Sequence, residues 1–244
     1  MCVHGVSNIS CGVCERVGGM EGKLHGLMVG ILCLIGDGDI MDAGANDGAD
    51  SVLLSVLFPV RRIIAVEPLR SNVVRILKVK NDRMEVIEGG LGEKSGVSWY
   101  GVSADSKAAW PGAKHGRNQI GRLPFYKRKE DESRVNFTIY TVDEIFKDRR
   151  LAFAHWDVEG NEVNVLRGAV RTIERDRPIF TVETFPTWRP TEHRTLLSQI
   201  KEMNYSAHII SEKCGMKGCR NMICIPVEHK NMSKIQDSIR QYIL

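Results

Sequence analysis

The chain has 244 residues, 43% of them hydrophobic and 26% charged, which is enough for one sizeable core, too little for two, and not a disordered composition. A net charge of +4 is too mild to argue by itself for a nucleic-acid partner. Seven cysteines, an odd number scattered along the chain, exclude a small secreted disulfide scaffold and suggest a reducing, cytoplasmic compartment.

Residues 1–22, rich in Gly, Cys and Ser without periodicity, read as an N-terminal extension. An apolar helix is expected over 23–35, closed by Gly36-Asp37-Gly38-Asp39. Its apolar run is interrupted by Gly30 and is too short to cross a bilayer, so no membrane association is expected. Strand and helix then alternate, the mark of βαβ units and a parallel sheet. Ile40-Met41-Asp42 ends a first strand, and a helix spans 47–58 before Pro59. A second strand covers 62–66, a helix 69–80 and a third strand 84–87, which Gly89-Gly90 ends. Val97 to Gly101 suggests an extra strand.

Residues 103–134 interrupt the alternation. They carry Lys107, Lys114, Arg117, Arg122, Lys127, Arg128, Lys129 and Arg134 against Asp105, Glu130, Asp131 and Glu132, and read as a basic loop inserted over the sheet. Regularity resumes with a strand at 137–140, a short helix at 142–146 and a fourth core strand at 151–156. One amphipathic helix is expected over 162–174, with Val163, Leu166, Val170 and Ile173 on one face. A fifth strand covers 178–182, a helix capped by Thr191 runs to 203, and strands at 205–210 and 221–225 close the fold. The core domain is read as 23–230, followed by a helical tail at 231–244.

The turn Asp42-Ala43-Gly44-Ala45-Asn46-Asp47-Gly48 lies where a strand becomes a helix, the place where open α/β sheets bind ligands. Gly44 would let backbone approach a ligand, and Gly48 would let the helix pack on the sheet. A dinucleotide site wants a Gly-x-Gly-x-x-Gly turn and little negative charge near the pyrophosphate. Here Asp42 and Asp47 flank the turn, which suits an ammonium and a sulfonium instead. S-adenosylmethionine carries both and no phosphate. Glu67, followed by Pro68, stands at the second strand end, placed to accept ribose hydroxyls. Gly90 and Leu91 are candidates to line the adenine, although a plain glycine turn explains them equally well.

A second cluster, Ala154-His155-Trp156-Asp157-Val158-Glu159-Gly160-Asn161-Glu162, follows the fourth strand. Asp157 or Glu159 is a candidate to take a proton from a substrate hydroxyl; the alternative is that Asp157 orders the loop and Glu159 caps the next helix. Glu183 is a third carboxylate at the same rim, with Thr184-Phe185-Pro186-Thr187-Trp188 as apolar walls beside it. His193 reads as a surface residue. Cys11 and Cys14 have metal-ligand spacing that Cys214 and Cys219 would complete, but free thiols are the simpler reading and no metal is expected.

Taken together these segments resemble the FkbM family of methyltransferases: residues 38–48, Ala65-Val66-Glu67-Pro68, Tyr140-Thr141-Val142-Asp143, Asp157 through Glu162, Val165 through Ala169, and Arg177-Pro178 into Val182-Glu183. The resemblance covers residues 25–227. It implies a class I, Rossmann-like doubly wound α/β sheet of seven strands, mostly parallel with the last antiparallel. It also implies S-adenosyl-L-methionine as cofactor, held by Asp42, Gly44, Asn46 and Glu67, with Asp157 and Glu159 by the reacting centre. Two departures stand out: Trp156 occupies a position where the family often has Lys, and the insertion is basic. The Asn/Asp-Pro-Pro-aromatic run of many amino-group methyltransferases is absent at Asp157-Val158-Glu159-Gly160. The expected acceptor is therefore a small hydroxylated molecule or sugar, the alternative being an RNA or protein held by the basic insertion.

Overall fold

A computed structural model describes residues 22–31, 34–103, 132–211 and 219–244. In chain order the elements are α1 (Gly22–Ile31), β1 (Asp39–Ala43), α2 (Ala49–Leu57), β2 (Ile63–Glu67), α3 (Arg70–Val79), β3 (Met84–Glu88), β4 (Gly90–Leu91), β5 (Gly96–Ser103) and β6 (Glu132–Tyr140). There follow α4 (Val142–Ile145), β7 (Leu151–Trp156), α5 (Glu162–Arg167), α6 (Val170–Asp176), β8 (Ile179–Thr184), α7 (Pro190–Glu202), β9 (Tyr205–Ile209), β10 (Arg220–Pro226) and α8 (Met232–Ile239).

The main sheet has seven strands in the order β3-β2-β1-β7-β8-β10-β9. The pairs among β3, β2, β1, β7 and β8 are parallel, and β10 runs antiparallel between β8 and β9. This is the expected seven-stranded, doubly wound sheet with its last strand reversed. The chain builds outward from β1 to β3 and then returns to the other side of β1 with β7. That reversal opens a crevice at the carboxyl ends of β1 and β7, the switch point at which such sheets bind ligands.

Alternation along the strands sends successive side chains to opposite layers. Ile40, Phe153, Ile179 and Ile223 pack with Leu27, Met28, Leu54, Ile235 and Ile239 from α1, α2 and α8. Met41, Ala154, Phe180 and Met222 pack with Val142, Val165, Ile173 and Leu196 from α4 to α7. Each fully buried Leu, Ile or Phe contributes about 1.5–3 kcal/mol, so both layers anchor the crevice from below. α1 and the segment after α8 meet in the first layer: a Cβ on Gly26 would lie 2.8 Å from the Tyr242 ring.

The expected single helix over 162–174 is two helices. A Cβ on Gly168 would lie 2.1 Å from the Gly92 carbonyl oxygen, and the Gly168 carbonyl accepts from the Asp143 amide. The Asp143 carboxylate in turn accepts from the Thr172 and Arg171 amides, at 2.8 and 3.2 Å, and so restarts the helix. Likewise α7 begins at Pro190, not behind a Thr191 cap, because proline suits a first helical position that has no amide partner to lose. Ser103 and residues 132–134, read from the sequence as part of the basic loop, are strand. β5 and β6 pair antiparallel out to Ser103 and Glu132, and the loop's remaining residues, 104–131, lie outside the described segments.

Candidate functional site

The turn after β1 is held by pairing carried beyond the strand. The Gly44 and Ala45 amides both donate to the Val66 carbonyl, and the Asp157 amide donates to the Ala43 carbonyl. Gly44 adopts φ +83°, and a Cβ there would sit 1.7 Å from the Asp157 carbonyl oxygen. The glycine is thus required by the meeting of β1 and β7, besides any ligand. Gly48, at φ +88°, gives room not to the sheet but to Ile76 and Val79 of α3, 3.2 and 3.3 Å from an added Cβ. Asn46 (φ +48°) and Glu159 (φ +57°) are non-glycine residues in the left-handed region, and local strain of this kind gathers at functional sites.

A cleft of about 220 Å³ opens above the switch point. Of the residues singled out from the sequence, Gly44, Asn46, Glu67, Pro68, Gly90, Leu91, Asp157 and Glu159 line it. Asp42, Ala45, Asp47, Gly48 and Glu183 do not. Asp42 is buried beneath the turn, accepting a hydrogen bond from the Ser51 hydroxyl. Asp47 is exposed and accepts a hydrogen bond from the Ala49 amide at 3.2 Å, one residue before the Gly48 cap of α2. Asp50, Leu69, Asn72, Gly89 and Val158 also line the cleft, and sequence reasoning did not single them out. Asp50 reads in sequence as an ordinary acid complementing a helix start, and Asn72 carries no motif at all.

Glu67 works first on its own loop. Its Oε2 accepts from the Asn46 amide at 2.9 Å, and its Oε1 from the Leu69 amide at 2.9 Å and from Asn72 Nδ2 at 3.3 Å. Burial nevertheless pushes its carboxyl up to about 7, the three donors only moderating the rise. The side-chain oxygens of Asn46 and Asn72 are buried acceptors without a hydrogen-bond partner, an arrangement that favours a donor arriving from outside.

Beyond β7 the carboxyls crowd one another. Burial, then the neighbouring acids, lifts Glu159 to about 8. Glu162, whose Oε1 accepts from the Gly160 amide at 2.9 Å, is raised to about 7, mainly by burial. Asp42 reaches about 7 for the same first reason, with Asp50 adding to it and His155 opposing it. Arg189 covers this edge: its guanidinium lies 1.7 Å from where a Gly160 Cβ would be and 5.4 Å from the Phe185 ring. Asn161 does not cap α5 but ties the loop to the first half of the site, donating from Nδ2 to the Leu91 carbonyl at 2.8 Å.

His193 is not the surface residue expected. It is half-buried, with Nδ1 2.8 Å from the Thr184 hydroxyl. Trp156 is fully buried in the apolar layer, its ring 4.8 Å from that of Phe180, so a lysine there would enter the core. The basic side chain that shares the Asp157 face of β7 is His155, whose Nδ1 lies 2.8 Å from Thr181 Oγ1. Cys11, Cys14 and Cys214 lie outside the described residues. Cys219 is disulfide-bonded, contrary to the free thiol expected, and Cys224 is a buried free thiol. Among the described residues no His, Cys, Asp and Glu cluster has metal-binding geometry, and no helix is long and apolar enough to cross a membrane.

The methyltransferase FkbM domain profile matches residues 42–207. The chain belongs to the FkbM methyltransferase family. Its members use S-adenosylmethionine. Among solved structures the chain is similar to the FkbM methyltransferase of Methylobacillus flagellatus KT, with 18% identity and a TM-score of 0.50 over 78% of this chain. The chain spans 43% of that protein's length. It is similar also to human methyltransferase-like protein 13, solved in complex with SAH, with 14% identity and a TM-score of 0.50 over 93% of this chain and 90% of the other. At these identities the likeness is one of fold. No curated protein matches the chain significantly.

Proposed function

We propose that this protein transfers a methyl group from S-adenosylmethionine to a hydroxyl oxygen of a small molecule or sugar. The observation that carries the reading is one cleft lined by Asp50, Glu67, Asp157 and Glu159 at the switch point of the sheet. Four carboxyls around one opening favour a ligand bearing an ammonium and a sulfonium and disfavour a pyrophosphate. The unpartnered Asn46 and Asn72 oxygens suit a ligand that brings hydroxyl and amino donors.

In this reading Glu67 and Asn72 hold the ribose hydroxyls, Gly90 and Leu91 border the adenine, and Gly44, Asn46 and Asp50 hold the amino-acid end. Asp42, Ala45, Asp47, Gly48 and Pro68 act through the shape of the turn. The bound cofactor supplies an electrophilic methyl. Asp157 and Glu159 lie across the cleft from Glu67, where an acceptor hydroxyl would enter. Asp157 takes the hydroxyl proton as the oxygen gains its methyl, and Glu159, half-buried and slow to ionise, orients the acceptor.

Titration calorimetry with S-adenosylmethionine tests the first half: micromolar binding by the wild type and loss in Glu67→Ala are expected, and no binding by either protein would end the reading. Methyl-labelled cofactor incubated with fractionated extract tests the second. Label in small molecules, lost in Asp157→Ala, is expected; label in RNA or protein would reassign the acceptor.

A further inference from the structure

Arg61, Arg149, Arg177, Arg189 and Arg220 are half-buried. All but Arg189 have an acceptor: Arg61 donates to the Gly38 carbonyl, Arg149 to Glu85, Arg177 to Glu228 and the Met203 carbonyl, and Arg220 to the Cys219 carbonyl. The Arg189 guanidinium has neither a hydrogen bond nor an ion pair among the described residues. It is nevertheless held in place. The Phe185 ring lies 5.4 Å from it, and its Nη1 rests on the backbone of Gly160, 1.7 Å from where a Cβ would be. A guanidinium that is ordered and partly withdrawn from water, yet has no acceptor, is a donor set prepared for a ligand.

The residue that Arg189 covers continues the acid loop. Asp157, Val158 and Glu159 line the cleft, and Gly160 comes next in the chain. Glu159 and Glu162 feel the charge of Arg189 but do not pair with it. Burial holds both acids toward the neutral form near pH 7, and Glu162 Oε1 accepts from the Gly160 amide instead. The cation is therefore left largely uncompensated beside the loop that carries Asp157. Trp188, the preceding residue, is 50% exposed and adds an aromatic surface to the same segment.

We propose that Arg189 binds the methyl acceptor and that this acceptor is an anion, carrying a carboxylate or a phosphate besides the hydroxyl that is methylated. The planar fork of N–H donors matches either group through two parallel hydrogen bonds. Arg189 does not line the cleft, so the anion stays clear of Asp50 and Glu67 while the hydroxyl end of the same molecule reaches Asp157. Arg189 is thus a specificity-determining residue: it selects a charged acceptor over a neutral one of the same shape and takes no part in the proton transfer. The acceptor role rests on the methyl-transfer reading, whereas the anion site stands without it.

Two measurements test this. Phenylglyoxal labelling of the free wild-type protein, mapped by mass spectrometry, is followed in millimolar inorganic phosphate, acetate or chloride at matched ionic strength. Phosphate or acetate should slow the labelling of Arg189 by about fivefold or more, because a planar anion takes two of its donors at once. The exposed Arg75 should be unaffected. Slowing by phosphate alone assigns a phosphorylated acceptor, and slowing by acetate one with a carboxylate. An Arg189 labelled equally fast in every anion, protected no better than Arg75, or not reached by the reagent at all overturns the site. Small-molecule products formed from methyl-labelled S-adenosylmethionine and fractionated extract are then passed over an anion exchanger at neutral pH. The label should be retained, and Arg189→Gln should raise the KM for the purified acceptor by about tenfold or more while S-adenosylmethionine affinity stays within about twofold. Label found only in the flow-through refutes the anionic acceptor. Protection of Arg189 with no methyl transfer to any small molecule would sink the methyl-transfer reading and leave the anion site standing.

Discussion

The two halves of the crevice handle negative charge in opposite ways. On the β1–β3 side each acid has its own donors: Asp42 has the Ser51 hydroxyl, and Glu67 has two backbone amides and Asn72. On the β7–β8 side neighbouring acids, after burial, raise Glu159 and Glu183, whereas Asp157 answers next to His155 and Asp50 and Glu162 keeps the Gly160 amide. Acids fixed by backbone amides are pre-shaped for a ligand that is always the same. Acids that face acids hold a proton more tightly than free carboxyls do, which brings Glu159 into the neutral range. The contrast matches the division of a transferase between a constant donor and a proton-releasing acceptor, and each half can be broken separately.

The largest effect is expected where the halves touch. Gly44→Ala places a methyl 1.7 Å from the Asp157 carbonyl oxygen at a φ of +83°. Backbone meets backbone there, so nothing can rotate away. A loss of about 4 kcal/mol or more is expected in urea denaturation, with cofactor binding abolished. Gly36→Ala, where nothing lies within 4 Å, should stay within about 0.5 kcal/mol of wild type. Equal losses in the two variants would mean that the β1–β7 junction is not the constraint described.

Next comes Glu67→Ala, which leaves the Asn46 and Leu69 amides without acceptors. An expected cost of about 3 kcal/mol would be accompanied by a fall of about 100-fold in S-adenosylmethionine affinity by calorimetry. Glu67→Gln keeps one acceptor oxygen and should fall in between. A Glu67→Ala protein that loses stability but binds the cofactor unchanged would confine Glu67 to its loop.

The pH dependence of stability sharpens the contrast from the other side. Asp42, Glu67 and Glu162 are raised to about 7 and Glu159 to about 8, in each case chiefly by burial. A group that binds its proton more tightly folded than unfolded adds stability below its unfolded value, here near 4. That stability is lost as pH climbs to the folded value. The free protein should therefore melt several degrees lower at pH 8 than at pH 5. The fall should be smaller in Glu159→Gln, whose amide removes the most strongly shifted of these four. S-adenosylmethionine, by bringing positive charge to the ionised acids, should reduce the drop. A melting temperature that rises across this range would contradict the charge distribution.

Much of this was legible in the sequence because the signals are local. The 151–156 run of apolar residues reproduces β7 residue for residue, and the first three strands fall within one or two positions of expectation. What was not legible depends on distant partners. The break at Gly168 is imposed by Gly92 and Asp143, far away along the chain. The place of Asp42 beneath the turn depends on Ser51 rising from α2 to meet it. Asn72 reaches the cleft only because α3 starts beside Glu67. Strand-end position marks Glu67 and Asp157, whereas side-chain packing puts Asp42 and Glu183 out of the cleft and brings Asp50 and Asn72 into it.

The smallest expected effect tests whether burial, and not charge alone, separates the two halves. Arg70 and Glu88 form an ion pair at the edge of the β1–β3 side, with side chains 65% and 41% exposed. Water screens such a pair, and holding two long side chains in one geometry costs entropy, so exposed pairs contribute at most about 1 kcal/mol. Arg70→Ala should therefore change stability by about 0.5 kcal/mol or less and leave cofactor affinity within about twofold. Its acid neighbour across the turn, Glu67, differs in little except burial and the donors it holds. A large drop in affinity for Arg70→Ala in calorimetry at moderate salt would show that long-range charge governs the cleft, and the division drawn between fixed and facing acids would lose its basis.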